Sequence, residues 1–213
     1  MNKWDYGGAW RNHDMTGEIH LAQGVVKVQD IVKGMPDFMR QADMLFIDPP
    51  CSQGNLKSFY TKADQSLPFG YDEFDLALWR CIDNIQPRQL FVETFKSNHT
   101  RILAAMQQRY PSVLVYDSHY YNRANNRCWI VHGFTGTPQH LPISGMDEAK
   151  VIEWLCHNVD AECVGDLCMG RGLVGWHAYQ AGRRFVGTEL NPKRLAVLVD
   201  RIRTAEAKPH AQR

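Results

Sequence analysis

The chain has no apolar run approaching the roughly 20 residues that a bilayer crossing requires; stretches such as Met44–Ile47 and Cys128–Val131 are far shorter. A soluble, cytoplasmic protein is the expectation. It also lacks an excess of either charge. Lys and Arg number 24 against 23 Asp and Glu, a formal net charge of +1, so bulk attraction to nucleic acid or acidic lipid is excluded and any polyanion must be held by a local patch. The six cysteines (Cys51, Cys81, Cys128, Cys156, Cys163 and Cys168) form no C-x-x-C pair, and nothing resembling a signal peptide precedes them, which points to free thiols in a reducing compartment. The nine histidines share no ligand spacing with those cysteines, so no metal set is expected. Repeats, low-complexity segments and composition breaks are absent as well. With 213 residues and 44% hydrophobic content, a single packed domain over residues 1–213 is expected.

What is present is an alternation of short β-rich runs and helical patterns. Val25–Val28, Asp43–Ile47, Gln89–Val92, Val113–Tyr116, Cys128–Val131, Glu162–Gly165 and Arg184–Gly187 read as seven strands, each compact, apolar and ended by polar, Gly or Pro residues. Helical periodicity covers Asp72–Ile85, Ser97–Arg109, Asp147–Asn158, Leu173–Ala181 and Pro192–Ala205. This order predicts an α/β fold with a mostly parallel sheet and right-handed crossovers. Between Val113 and Val131 the connection is too short for a crossover helix, so those two strands are expected to form one antiparallel edge hairpin. Residues 1–20, with Trp4, Tyr6, Trp10 and His13, show no period and are expected to be irregular and to contact substrate.

Two motifs carry chemistry. Val164-Gly-Asp-Leu-Cys-Met-Gly-Arg-Gly-Leu-Val-Gly175 follows a strand and opens a helix, with Gly170, Gly172 and Gly175 in G-x-G-x-x-G spacing. Glycine there lets the backbone turn tightly beside a ligand, whose polar groups meet the free N–H groups of the helix start. Glu189 ends the next strand, where a carboxylate can accept both hydroxyls of a ribose. The second motif, Met44-Leu-Phe-Ile-Asp-Pro-Pro-Cys51, sets Asp48, Pro49 and Pro50 at a strand's carboxyl end. The prolines stiffen the turn and keep Asp48 from relaxing into a helix. A fixed carboxylate beside a backbone carbonyl can accept both hydrogens of an exocyclic amino group and turn its lone pair toward a methyl donor. A close-packed glycine turn and a plain Asp-Pro strand end are the bland readings of the same residues.

Taken in order, Asp48-Pro-Pro-Cys51 followed by Asp166-Leu-Cys-Met-Gly-Arg-Gly172 and Gly182-Arg-Arg-Phe-Val-Gly-Thr-Glu-Leu-Asn-Pro192 resembles the permuted, β-group S-adenosylmethionine-dependent DNA amino-methyltransferases. The resemblance runs from about Gln23 to Ile202 and implies a single Rossmann-like methyltransferase domain that binds S-adenosyl-L-methionine and acts on DNA, with adenine N6 favoured over cytosine N4. It implies that Asp166, Gly170 and Gly172 hold the methionine part of the cofactor, Glu189 its ribose and Asp30 its adenine amino group. Cys168 and Asn191 fall within the same cofactor motifs. Asp48, Pro49, Pro50 and Cys51 form the catalytic turn.

One position departs from that pattern. The family places an aromatic residue where Cys51 stands, to stack on the extruded base; Phe59, Tyr60, Phe69 and Tyr71 are candidates to replace it, Tyr60 foremost. Cys51 also opens a rival chemistry, because Pro50-Cys51 with Glu93 is similar to the nucleophile and acid of cytosine-C5 methyltransferases. A third reading is a non-catalytic subunit that binds cofactor or nucleic acid. Lys57, Lys62, Lys96, His99, Arg101, Arg123 and Arg127 fall on the motif side and could form a basic rim for phosphates, Lys57 and Arg123 among the substrate contacts. A core of this kind leaves no room for a separate target-recognition domain, so specificity would come from the segments 52–71 and 117–127, from a homodimer or from a partner subunit. Such compactness suits a phage-like enzyme.

Overall fold

The four residues Met44-Leu-Phe-Ile47 are apolar on both sides of the pleat, and all four are buried, as expected of a central strand covered on two faces. The computed structural model describes residues 4–120, 125–137 and 139–207. In chain order the elements are β1 (Glu18–Leu21), β2 (Gly24–Val28), β3 (Met44–Ile47), α1 (Gln53–Lys62), α2 (Tyr71–Ile85), β4 (Gln89–Thr94), α3 (His99–Gln107), β5 (Ser112–His119), β6 (Arg127–Phe134), α4 (Glu148–Asn158), β7 (Cys163–Asp166), α5 (Leu173–Gln180), β8 (Arg184–Glu189) and α6 (Pro192–Ala207).

They build one sheet in the order β1-β2-β8-β7-β3-β4-β6-β5. The five inner strands from β2 to β4 are parallel. Two features correct the sequence reading. The sheet has eight strands, not seven, and both edges are antiparallel, β1 on β2 and β5 on β6 with β6 also antiparallel to β4. The extra strand takes Glu18, Ile19 and His20 out of the segment expected to be irregular. In β1 only Ile19 and Leu21 point inward, too little apolar signal to stand out in sequence.

Side chains alternate between two cores. Met44 and Phe46 of β3 face a layer formed by α4, α5 and α6, with Val151, Ile152, Val174, Leu195 and Leu198. Leu45 and Ile47 face α1, α2 and α3, with Leu56, Phe74, Leu78, Ile102 and Met106. From β3 the chain runs through α1 and α2 to β4, and from β7 through α5 to β8 on the other side, so the strand order reverses between β3 and β7. A crevice opens at such a point, outside the carboxyl ends of the strands. Residues 4–13 pack instead along α6: His13 lies 3.1 Å from Asp200 and 3.0 Å from Arg203. No helix among the described residues is long and apolar enough to cross a membrane.

Candidate active site

The crevice between β3 and β7 opens into a cavity of about 520 Å³, within the size range of small-molecule sites. The described residues of 4–20 take no part in its lining. Strand ends supply its polar groups: Asp30 after β2, Asp48 after β3, Asp166 ending β7 and Glu189 ending β8.

At one end stand Asp30, Tyr60 and Glu189. Asp30 caps a short 3-10 turn by accepting from Val32 N at 3.1 Å. Its other oxygen is buried and has no hydrogen-bond partner; the Lys33 ammonium is 3.7 Å away. Tyr60 stands beside it, its phenol pushed up by burial and then by the Asp30 carboxylate, and its ring meets Phe69 edge-on at 5.5 Å. Glu189 accepts from Gly170 N at 2.6 Å and Asn191 N at 2.9 Å, one bond to each oxygen, leaving each a free lone pair. Burial raises its carboxyl, against the Arg194 charge and these backbone bonds.

The glycine loop turns through left-handed backbone, with φ +56° at Gly170 and +79° at Gly172. A Cβ at Gly172 would strike Leu198 of α6, so glycine is required there by space as well as by φ, while at Gly170, where only the mobile end of Arg194 lies close, the left-handed φ is what favours it. Asp166 accepts from Cys168 N at 2.8 Å, and burial drives its carboxyl well up. Cys168, Gly170 and Arg171 line the cavity.

At the other end Asp48 accepts a 3.2 Å hydrogen bond from the Tyr120 hydroxyl. Burial pushes its carboxyl up to about 6, against the pull of that bond and of Arg194. The turn is pinned from both sides. Tyr71 donates to the Pro50 carbonyl at 2.8 Å, and Cys51 N donates to the Asn55 side chain at 3.1 Å. Asn55 N in turn donates to Ser52 Oγ at 3.3 Å, capping α1. Cys51 itself is half-buried, at the end of the turn, and is not among the residues that line the cavity.

Behind Asp48 the fold gathers carboxyls that no sequence spacing betrays. Oxygens of Asp48, Glu93 of β4 and Glu148 of α4 all lie within 4.8 Å of one another. Glu93 is 0% exposed, and neither of its oxygens has a hydrogen-bond partner. Burial and then the Asp48 charge raise both, Glu148 to about 8 and Glu93 further. In the absence of a cation, three carboxylates this close in a low-dielectric setting keep protons among them.

The other expected site residues divide. Asn191 is buried as the cap of α6, donating to the Lys62 carbonyl at 2.8 Å and accepting from Lys193 N at 2.9 Å, and it does not line the cavity. Lys57 points outward from α1, and Lys96 and Arg127 are also exposed. Arg101 of the expected basic rim is instead paired with Asp72 at 2.7 Å and Asp75 at 2.9 Å. Arg123 lies outside the described residues. Sequence reasoning missed Tyr120, Glu148, Arg171 and Arg194, all of which line the cavity. Arg171, inside the glycine loop, and Arg194, in the first turn of α6 after Asn191-Pro192, were the most accessible to pattern; Tyr120 and Glu148 depend on tertiary packing.

No family model matches the chain, and no curated protein matches it. Among solved structures it is similar to M1.HpyAVI in complex with SAM, at TM-score 0.57 and 13% identity over 83% of this chain and 98% of that one. It is also similar to a protein of Thermus thermophilus named as a DNA modification methylase and complexed with S-adenosyl-L-methionine, at TM-score 0.57 and 15% identity over 84% of this chain and 93% of that one. A third is the PvuII DNA methyltransferase, cytosine-N4-specific, at TM-score 0.55 and 11% identity over 91% of this chain and 89% of that one. The chain thus has the Rossmann-like fold of these proteins, in a single mixed sheet.

Proposed function

We propose that the protein transfers a methyl group from S-adenosyl-L-methionine to the exocyclic amino group of a DNA base, adenine N6 in preference to cytosine N4. The observation that carries this reading is one cavity with Asp48 at one end and Asp30, Glu189 and the glycine loop at the other. The names of the structurally similar proteins support it, and the preference for adenine follows the family that the motifs resemble.

The residues suit the cofactor. The buried, unpartnered oxygen of Asp30 can accept from an adenine amino group, the spare lone pairs of Glu189 can accept from ribose hydroxyls, and the tight left-handed turn at Gly170 and Gly172 brings the loop backbone to the cavity. When bound, S-adenosyl-L-methionine supplies an electrophilic methyl group on a sulfonium. Asp48 and the Pro49 carbonyl, which the following proline leaves without a neighbouring N–H, accept the two amino hydrogens and fix the nitrogen lone pair toward that methyl. With the donor bound, the amino nitrogen would gain the methyl group as the C–S bond breaks with its electron pair left on sulfur, and the Asp48 carboxylate would take up the amino proton. Tyr120 holds Asp48 and offers a ring beside it, the place that Cys51 leaves without an aromatic. Exposed Lys57, Lys96 and Arg127 supply contacts for DNA phosphates.

Asp48→Ala tests the reading. Calorimetry should find S-adenosyl-L-methionine bound within about tenfold of wild type, while methyl transfer to DNA falls by about 10²–10³, the scale of removing a group that acts in the transition state. Equal loss of binding and turnover would assign Asp48 to the cofactor instead.

A further inference from the structure

We propose that Glu148 reads the ring nitrogen next to the target amino group, donating a hydrogen bond from its neutral carboxyl to N1 of adenine or N3 of cytosine while Asp48 accepts from the amino group. This rests on the amino-methyltransferase reading above and names how that site recognises its base.

Glu148 is placed for the task. It opens α4 directly after Asp147, whose side chain caps the helix by accepting from Lys150 N at 3.1 Å, so its backbone is fixed. It lines the cavity together with Asp48 and Tyr120, and its carboxyl oxygen lies within 4.8 Å of those of Asp48 and Glu93. Glu93, fully buried with both oxygens unpartnered, stands behind the pair and does not line the cavity. The groups that face Glu148 are Asp48 of the β3 turn, Glu93 of β4, Cys128 of β6, Asp147 beside it, Asp166 of β7 and Arg171 of the glycine loop. Burial, and after it the acids that outnumber the single arginine in that set, push the Glu148 carboxyl up, so it keeps its proton to about 8 while Asp48 loses its own near 6. Between those limits the site holds an acceptor and a donor side by side. The Watson–Crick edges of adenine and cytosine offer the complement, an amino donor beside an unprotonated ring nitrogen. Guanine, thymine and uracil offer a carbonyl beside an N–H there, which sets acceptor on acceptor and donor on donor. A neutral carboxylic acid serving as a donor is an established use of a buried acid, and a site built on such a bond rejects bases that cannot make it.

The test is the pH dependence of kcat/KM for the wild type, Glu148→Gln and Glu148→Ala on duplex DNA. The wild type should show an acid limb near 6 and an alkaline limb near 8. Glu148→Gln keeps a donor at every pH, so the alkaline limb should vanish and activity at about pH 9 should exceed wild type by about tenfold, because one unit above its pKa only about a tenth of Glu148 remains protonated. Glu148→Ala should lose about 10- to 100-fold at neutral pH. A substrate whose target base carries C–H in place of the ring nitrogen should cost the wild type about tenfold or more and Glu148→Ala less than about threefold. An alkaline limb that persists in Glu148→Gln, or additive losses with the altered base, would overturn the proposal while leaving the methyltransferase reading intact. So would a rise in melting temperature with Mn²⁺ that Glu148→Gln abolishes, since the acids would then hold a cation and not protons. A wild-type protein that methylates no DNA overturns both.

Discussion

Tyr120 donates to Asp48 at 3.2 Å, and a hydrogen bond to a charged acceptor is worth about 1.5–3 kcal/mol. The bond lowers the Asp48 pKa, so removing it favours the protonated acid that cannot accept an amino hydrogen. Tyr120→Phe should therefore cut kcat/KM about tenfold at about pH 7 and move the acid limb to higher pH; an unmoved limb would show that the hydroxyl only packs. At this scale the sequence announces the residues that a strand end or a glycine turn marks, namely Asp30, Asp48, Asp166, Gly170, Gly172 and Glu189. It is silent on Tyr120, Glu93 and Glu148 as a group, which reach Asp48 from the end of β5, from β4 and from α4, because their partnership exists only once the sheet is assembled. Tyr60 illustrates the same limit. Expected as a stacking face for the base, it lines the cavity beside Asp30, and it is the Tyr120 hydroxyl that reaches Asp48.

Among elements, α1 is the one that fixes the Asp48-Pro-Pro-Cys51 turn and the one the sequence hides. Ser-Gln-Gly-Asn reads as a loop, yet Ser52 accepts from Asn55 N and Asn55 returns a bond to Cys51 N, a reciprocal cap in the manner of a capping box. Leu56 and Tyr60 then supply its buried stripe. Losing such a cap costs about 1 kcal/mol, so Ser52→Ala should lower the urea midpoint with an unchanged slope; a midpoint equal to wild type would mean that packing alone holds α1. Helices α2, α4 and α6 are legible to within a turn of their observed ends, since each buries a full apolar face. Strand β1 is not, because Glu18 and His20 face outward and only two inward residues remain to mark it.

For the molecule as a whole, a formal net charge of +1 goes with a local gathering of carboxyls. The parallel strands all end at one edge, which collects Asp30, Asp48, Glu93, Asp166 and Glu189 around or behind one cavity, while exposed Lys57, Lys96 and Arg127 lie outside it. The parallel inner sheet and the cavity at its reversal follow from the strand order that the sequence displays; the second antiparallel edge and the carboxyl cluster are products of the closed fold. The most direct test of a DNA amino-methyltransferase is nucleoside mass spectrometry of DNA from a methylation-deficient host expressing the wild type, Asp48→Ala or Cys51→Ser. N6-methyladenine present with wild type and Cys51→Ser and lost with Asp48→Ala is the expected result, whereas 5-methylcytosine that disappears with Cys51→Ser would contradict it.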